Sequence, residues 1–296
     1  MPARKLLKVC KSNDLNQASF NHLGLSAYRV FLNIITKIRR YDSNGNPIEN
    51  TLINREYSLS IAEYSEEFNI PKNTAYKALK QVADKLMDTK HLLKETDESG
   101  NKKWEKINLC SKASYIDGSG KIDIRFTEDI MPHLTELSDR FTMYNLCEIT
   151  NFKSFYTTRM YELLMQYKTT GKLDISVEEL RQSLNCIKTH KLYNDFKRFG
   201  FNHAIKEINS QYDIGVQFKE VKKGKTVERI EFTFKKTMID KVYDPVTKKV
   251  RNQLIRPNRI TTEKTENKNQ ENQTSSVSSI LLDAFRDMGN KLRINK

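Results

Sequence analysis

The stretch Ser60-Ile61-Ala62-Glu63-Tyr64-Ser65-Glu66-Glu67-Phe68-Asn69-Ile70-Pro71-Lys72-Asn73-Thr74-Ala75-Tyr76-Lys77-Ala78-Leu79 decides the fold. Ser60 with Glu63 three residues on forms a capping box, which starts a helix running to about Phe68. Asn69 to Asn73 makes a short turn around Pro71. A second helix follows from Thr74 to about Thr89, with Ala75, Leu79, Val82 and Leu86 on one stripe. Two helices joined by such a turn read as a helix-turn-helix. Two short strands come next, His91 to Lys94 and Trp104 to Leu109, around the turn Asp97 to Asn101. This is the order of a winged helix. Lys121 to Phe126 alternates as a third strand. Upstream, Ala27, Val30, Phe31, Ile34, Ile35 and Ile38 place a helix over Ser26 to Arg40, broken by Asp42 to Pro47. Downstream, Glu128 to Leu137 and Met143 to Thr150 read as connecting helices.

The same order then recurs. Phe155 to Tyr167 is a helix ended near Gly171, and Leu173 to Ile175 is a short extended piece. Ser176 with Glu179 forms a second capping box, for a helix through Leu184. After a turn from Asn185 to His190, a long helix spans about Leu192 to Asn209. Ile214 to Val221 and Thr226 to Phe234 read as a hairpin around Lys223-Gly224-Lys225. The expected fold is therefore α+β, mainly α, with two tandem winged helices. Residues 1–140 form the first, 141–256 the second, and 257–296 a polar tail. Residues 261–278 contain one apolar side chain, Val277, and cannot bury a core. Ser279 to Leu292 has amphipathic helical spacing.

Charge narrows the function. The 296 residues carry 51 Lys+Arg against 37 Asp+Glu, a formal +14, which favours a polyanionic partner such as nucleic acid. Residues 141–256 hold 22 basic and 13 acidic side chains, net +9, whereas residues 1–140 hold 22 and 19. No run of apolar residues is long enough for a membrane span, and Met1 to Asn16 lacks the apolar region of a secretory signal. The four scattered cysteines fit neither a zinc site nor a disulfide framework, and a cytoplasmic protein with reduced thiols is expected.

On the long helix, Tyr193, Gly200, Ala204, Ile205 and Ile208 make the inward stripe. Asn194, Arg198, Asn202 and Lys206 recur at every fourth position on the opposite face, flanked by Lys197 and His203. Arg pairs bidentately with guanine and Asn with adenine in the major groove. Lys188 and Lys191 precede the helix, where phosphates would lie. Gly200 is out of place, since glycine inside a helix costs about 1 kcal/mol relative to alanine. At the hairpin tip Lys222, Lys223 and Lys225 repel one another unless an anion is near, and Arg229 lies on the strand beyond. In the first helix-turn-helix, Lys72, Asn73, Lys77 and Lys80 share a face. Acidic neighbours dilute that potential, leaving DNA contact and dimer contact equally open.

Signals for catalysis are poor. The five histidines are isolated, with no paired-His metal motif. Gly118-Ser119-Gly120-Lys121 resembles the end of a phosphate loop but lacks its first glycine and the Ser/Thr after lysine. Neither a catalytic residue nor a cofactor or metal is expected.

Five segments in register resemble the iteron-binding replication initiators of bacterial theta-replicating plasmids. They are Lys11-Ser12-Asn13-Asp14-Leu15, Asn73 to Leu79, Arg159-Met160-Tyr161-Glu162-Leu163-Leu164, Ala204 to Asn209, and Ile230 to Phe234. The resemblance covers about residues 6–236. It implies two pseudo-symmetric winged-helix domains. It implies monomers that bind direct repeats of double-stranded DNA at a plasmid origin, help melt an adjacent AT-rich stretch, and recruit the host replication initiator and helicase. It further implies dimers, formed largely through the first domain, that repress the initiator's own promoter at an inverted repeat. Residues 192–209 match the second recognition helix, so Lys197, Arg198, Asn202 and Lys206 inherit major-groove contact. A dimeric winged-helix transcriptional regulator without a replication role is the alternative. A nicking initiator would need the His pair that is missing.

Overall fold

The computed structural model describes residues 7–20, 23–38, 40–41, 47–48, 55–96, 102–116, 118–135, 141–235, 238–244 and 249–255. The polar tail and the amphipathic stretch expected beyond residue 256 lie outside the described residues. In chain order the elements begin with β1 (Lys8–Ser12), α1 (Asn13–Gln17), α2 (Leu25–Ile38), β2 (Arg40–Tyr41), β3 (Pro47–Ile48), β4 (Glu56–Ser60), α3 (Ile61–Glu67) and α4 (Lys72–Met87). Then come β5 (Lys90–Thr96), β6 (Lys102–Asn108), β7 (Cys110–Ile116), β8 (Lys121–Phe126), α5 (Pro132–Thr135), β9 (Phe141–Asn145) and a 3-10 turn at Leu146–Ile149. The second half holds α6 (Phe155–Gln166), β10 (Lys172–Ser176), α7 (Val177–Ser183), α8 (Tyr193–Asp195), a π-helical turn (Phe196–Phe201) and α9 (Asn202–Gln211). It closes with β11 (Gln217–Lys223), β12 (Thr226–Thr233), β13 (Met238–Asp244) and β14 (Lys249–Ile255).

Two modules share one topology. In the first, α2, β4, α3, α4, β7 and β8 follow in order, and the sheet runs β4-β8-β7. In the second, α6, β10, α7, the α8–π–α9 element, β11 and β12 follow, and the sheet runs β10-β12-β11. Both sheets are antiparallel. Each is one helix-turn-helix backed by a three-stranded sheet whose last two strands form the wing.

The likeness extends to single residues. Ser60 and Ser176 both cap their helices in complete capping boxes, with Glu63 and Glu179 reaching back. Both helices end on an asparagine in the left-handed region, Asn69 at φ 49° and Asn185 at φ 57°. At each end the following amide donates five residues back, Ile70 N to the Ser65 carbonyl (3.0 Å) and Cys186 N to the Arg181 carbonyl (2.7 Å). That is a Schellman stop with Asn in place of the usual Gly. Ser, Glu and Asn are each repeated 116 residues later, as Ser176, Glu179 and Asn185. The turn of both helix-turn-helix units is thus set by the same local chemistry.

Three expectations are corrected. The fold is not mainly helical, because helix and strand contribute nearly equally among the described residues. The added strands are polar or short: β4 buries only Leu59, and β7 carries Ser111, Lys112 and Ser114 between its less polar positions. The first wing is not the 91–109 hairpin. That hairpin, β5–β6, is an insertion paired only with itself among the described residues, and the wing is β7–β8, turning at Gly118 and Gly120. Strand β8 joins the sheet because Ile122, Ile124 and Phe126 alternate into the core. Finally, Met143 to Thr150 is no helix. Strand β9 pairs with β1, and Asn145 with Glu148 caps only a 3-10 turn. Of Glu128 to Leu137, only Pro132–Thr135 is helical among the described residues.

Helix α6 is buried on all sides from Thr157 to Met165, including Arg159 and Glu162. Two of the segments that carry the family resemblance meet there. Lys11 Nζ donates to Glu162 Oε1 (2.7 Å) and to the Tyr28 hydroxyl (2.8 Å). Arg159 Nη1 donates to Glu162 Oε2 (2.6 Å), its Nη2 to the Asn16 and Ala18 carbonyls, and its Nε to the Ser183 carbonyl. The Tyr28 and Tyr144 hydroxyls complete the carboxylate's shell, at 2.5 and 2.6 Å. One charge cluster therefore joins β1, α2, β9, α6 and α7, and so holds the two modules to each other. Such clusters persist when every lone pair and proton has a partner.

Candidate nucleic-acid interface

The second recognition element is not one continuous α-helix. An α-helix turns about 100° per residue, so positions 194, 198, 202 and 206 would drift by about 120° around it. The π turn at Phe196–Phe201 takes up one extra residue and reduces that drift to about 20°. The same correction aligns Phe196, Gly200, Ala204 and Ile208, all buried. Opposite them, Asn194, Arg198 and Lys206 are exposed and Asn202 is half-buried. The expected row therefore exists, and the π turn is what straightens it.

Gly200 has a packing role. A Cβ built on it would lie 2.9 Å from the Phe196 ring. Phe196 is itself fixed, edge-on to Phe201 and 4.3 Å beneath the Arg181 guanidinium. Arg181 in turn donates to the His190 carbonyl (2.7 Å) and the Lys191 carbonyl (3.2 Å), pinning the turn before the recognition element. His190 holds a left-handed φ of 51° there and stacks on Phe199 at 5.7 Å. Arg198 lies over the same Phe199 ring, 5.0 Å from its centroid.

The remaining candidate residues divide by their surroundings. Lys188 and Lys191 are exposed around the pinned turn. Lys197 is tied down: its ammonium meets Glu220 Oε1 on β11 (2.7 Å) and lies over the Phe218 ring. Tyr193 donates to the same carboxylate oxygen. The Lys197 hydrogen bond leads the effects that hold Glu220 below the ordinary carboxylate range, while burial pushes the Tyr193 phenol up. On the second wing Lys222, Lys223 and Lys225 are exposed, with Lys223 3.9 Å from Glu228. Arg229 sits lower on the wing, paired with Asp174 Oδ1 at 2.9 Å. In the first module Lys72, Asn73, Lys77 and Lys80 are all exposed on α4. Tyr76 stands among them, 38% exposed, with its ring edge-on to Tyr115 of the wing strand β7.

Sequence reasoning missed Glu220, Arg181, Leu192 and Phe199. Only the fold brings Glu220 to Lys197 and Arg181 to the turn. Leu192 and Phe199 carried a legible signal, as large apolar residues off the inward stripe. Among the described residues no group of three or more His, Cys, Asp or Glu is placed to hold a metal ion. None of the described helices is long and apolar enough to cross a membrane.

Comparison with known proteins agrees with this architecture. The family model described as "Initiator Replication protein, WH1" matches residues 8–165, and "Initiator Rep protein, WH2" matches residues 176–234. A replication initiation protein of Escherichia coli is 28% identical over 219 residues, 71% of this chain. The chain spans 65% of that relative's length. An uncharacterized 27.6 kDa protein of Escherichia coli is 23% identical over 227 residues, 75% of this chain and 92% of that protein. Among solved structures, the Pi initiator protein in complex with iteron DNA shares the fold, with a TM-score of 0.61 and 23% identity over 78% of this chain and 98% of the other. Two modules of one topology, each matched by its own model, show that this chain belongs to the family of initiator replication proteins and carries both winged-helix parts of it.

Proposed function

We propose that this chain initiates plasmid replication by binding direct repeats of double-stranded DNA at an origin as a monomer. One observation carries the reading. The π turn lines up Asn194, Arg198, Asn202 and Lys206 on the outer face of the second recognition element, with nothing buried among them but half of Asn202. Arg and Asn are the side chains that read guanine and adenine in the major groove. Lys188 and Lys191 at the turn, and Lys222, Lys223 and Lys225 on the wing, meet phosphates. Lys72, Asn73, Lys77 and Lys80 of α4 meet a neighbouring groove or backbone. Lys197 and Arg229 serve beside them, each already held by a carboxylate of its own module. The domain division at residues 140 and 256, self-association through the first module, promoter repression as a dimer, recruitment of the host initiator and helicase, and a cytoplasmic location belong to the same reading. So does the absence of a catalytic step.

Footprinting of the chain on DNA flanking its own gene tests this. Protection of tandem repeats supports the reading, and protection of a lone palindrome overturns it. Nicking of supercoiled origin DNA by the chain with Mg²⁺ would overturn the non-catalytic part.

A further inference from the structure

Leu192 is a large aliphatic side chain left 70% exposed at the start of the second recognition element. Its exposure is not that of a slack loop. The two residues before it are held by Arg181 through the His190 and Lys191 carbonyls, and the Leu192 carbonyl accepts the Phe196 amide at 3.1 Å. The side chain is therefore presented outward from a pinned backbone. Exposed Lys188, Lys191, Asn194 and Arg198 surround it in sequence. An apolar side chain among cations fits a partner that is anionic overall yet offers a local apolar group. In a helix-turn-helix, the first residues of the recognition helix are the ones that reach base edges. The major groove carries one apolar group there, the C5-methyl of thymine.

We propose that Leu192 reads thymine, by packing on a C5-methyl beside the bases met by Asn194 and Arg198. This rests on the DNA reading proposed above. Phe199, 48% exposed, lies against both His190 and Arg198 and gives the arginine a ring to rest on.

The test uses the full chain and synthetic duplexes of the sequence it protects beside its own gene, each with one thymine replaced by deoxyuridine. That replacement removes a methyl and nothing else. At one or two positions the wild-type chain is expected to lose roughly four-fold in affinity, the worth of one buried carbon group. Leu192→Ala should bind the unmodified duplex more weakly by a similar factor and be indifferent to the replacement at those positions. Ile187→Ala, an exposed apolar control outside the helix, should keep the wild-type response. Deoxyuridine losses that are equal in wild type and Leu192→Ala overturn the proposal. So does a Leu192→Ala chain that binds DNA normally but changes its oligomeric state, since the side chain then serves a protein contact. If the chain protects no DNA at all, the DNA reading itself fails instead.

Discussion

Arg198 and Lys223 are both exposed cations of the second module, yet their surroundings assign them different work. Arg198 stands in the aligned row with its guanidinium beside the Phe199 ring, and under the proposed function it meets a base at a defined place. Arg198→Ala should lower affinity for the specific site by about 1–3 kcal/mol and leave random DNA little changed. Lys223 is at the wing tip with its side chain 81% exposed and only a long 3.9 Å approach to Glu228, so under the proposed function it meets phosphate without a fixed position. Lys223→Ala should weaken specific and random duplexes alike and make the log–log salt slope shallower by about one. Titration of both variants on both duplexes across a salt series separates the roles. Glu220 acts in the opposite direction. It holds Lys197 against the wing at 2.7 Å, so Glu220→Gln should release that charge. The expected result is tighter binding to random DNA with a salt slope steeper by about one. An unchanged slope would mean that Lys197 already reaches phosphate.

The recognition element turns on a single glycine. On propensity alone Gly200→Ala should stabilise a helix by about 1 kcal/mol. Here the added Cβ meets the Phe196 ring at 2.9 Å, and that ring is buried between Phe201 and Arg181. The substitution should therefore destabilise the chain by about 1–3 kcal/mol, as overpacking does, and a lowered urea midpoint would show it. A raised midpoint would mean that the ring yields. At this scale the sequence was legible where local chemistry acts alone. Ser60 with Glu63 and Ser176 with Glu179 gave both helix starts correctly. It was illegible where pairing decides. Strand β4 buries only Leu59 and β7 mixes polar with apolar positions, and both are held in the sheet by β8 between them. The π turn is invisible in periodicity, since an apolar stripe of Gly200, Ala204, Ile205 and Ile208 fits an unbroken α-helix equally well.

Across the whole molecule, the buried cluster at α6 carries two cations and one carboxylate. Burial lowers the Lys11 pKa from 10.5 to about 7, against the pull of Glu162. Burial alone would push Glu162 up, but Lys11 and Arg159 hold it below the usual carboxylate range. Loss of the Lys11 proton would leave Arg159 and Glu162 as a balanced pair. The folded chain thus releases the Lys11 proton near 7, while the unfolded chain keeps it to the ordinary 10.5. Between those values the unfolded state binds more protons, so stability rises with pH. The thiol of Cys110, pushed up to about 12 by burial, opposes this once the pH nears its ordinary 9.0. Denaturant midpoints should therefore rise from about pH 7 to about 8.5, and the rise should vanish in Lys11→Met. A rise that persists in the variant would place its origin elsewhere in the chain.

The sequence by itself determined the two helix-turn-helix units, their order with wings, and the location of most of the charge in residues 141–256. Capping boxes, turn residues and charge counts act over a few neighbouring positions and need no partner from afar. Tertiary structure decided the rest. It chose which hairpin is the first wing, aligned Asn194 to Lys206 through a π turn, gave Lys197 and Arg229 carboxylate partners, and closed Lys11, Tyr28, Tyr144, Arg159 and Glu162 into one cluster. Each of these depends on residues far apart in the chain, 151 positions in the case of Lys11 and Glu162. Contacts of that range exist only once the core has formed, because burial supplies both the proximity and the low dielectric that makes a charge require its partner.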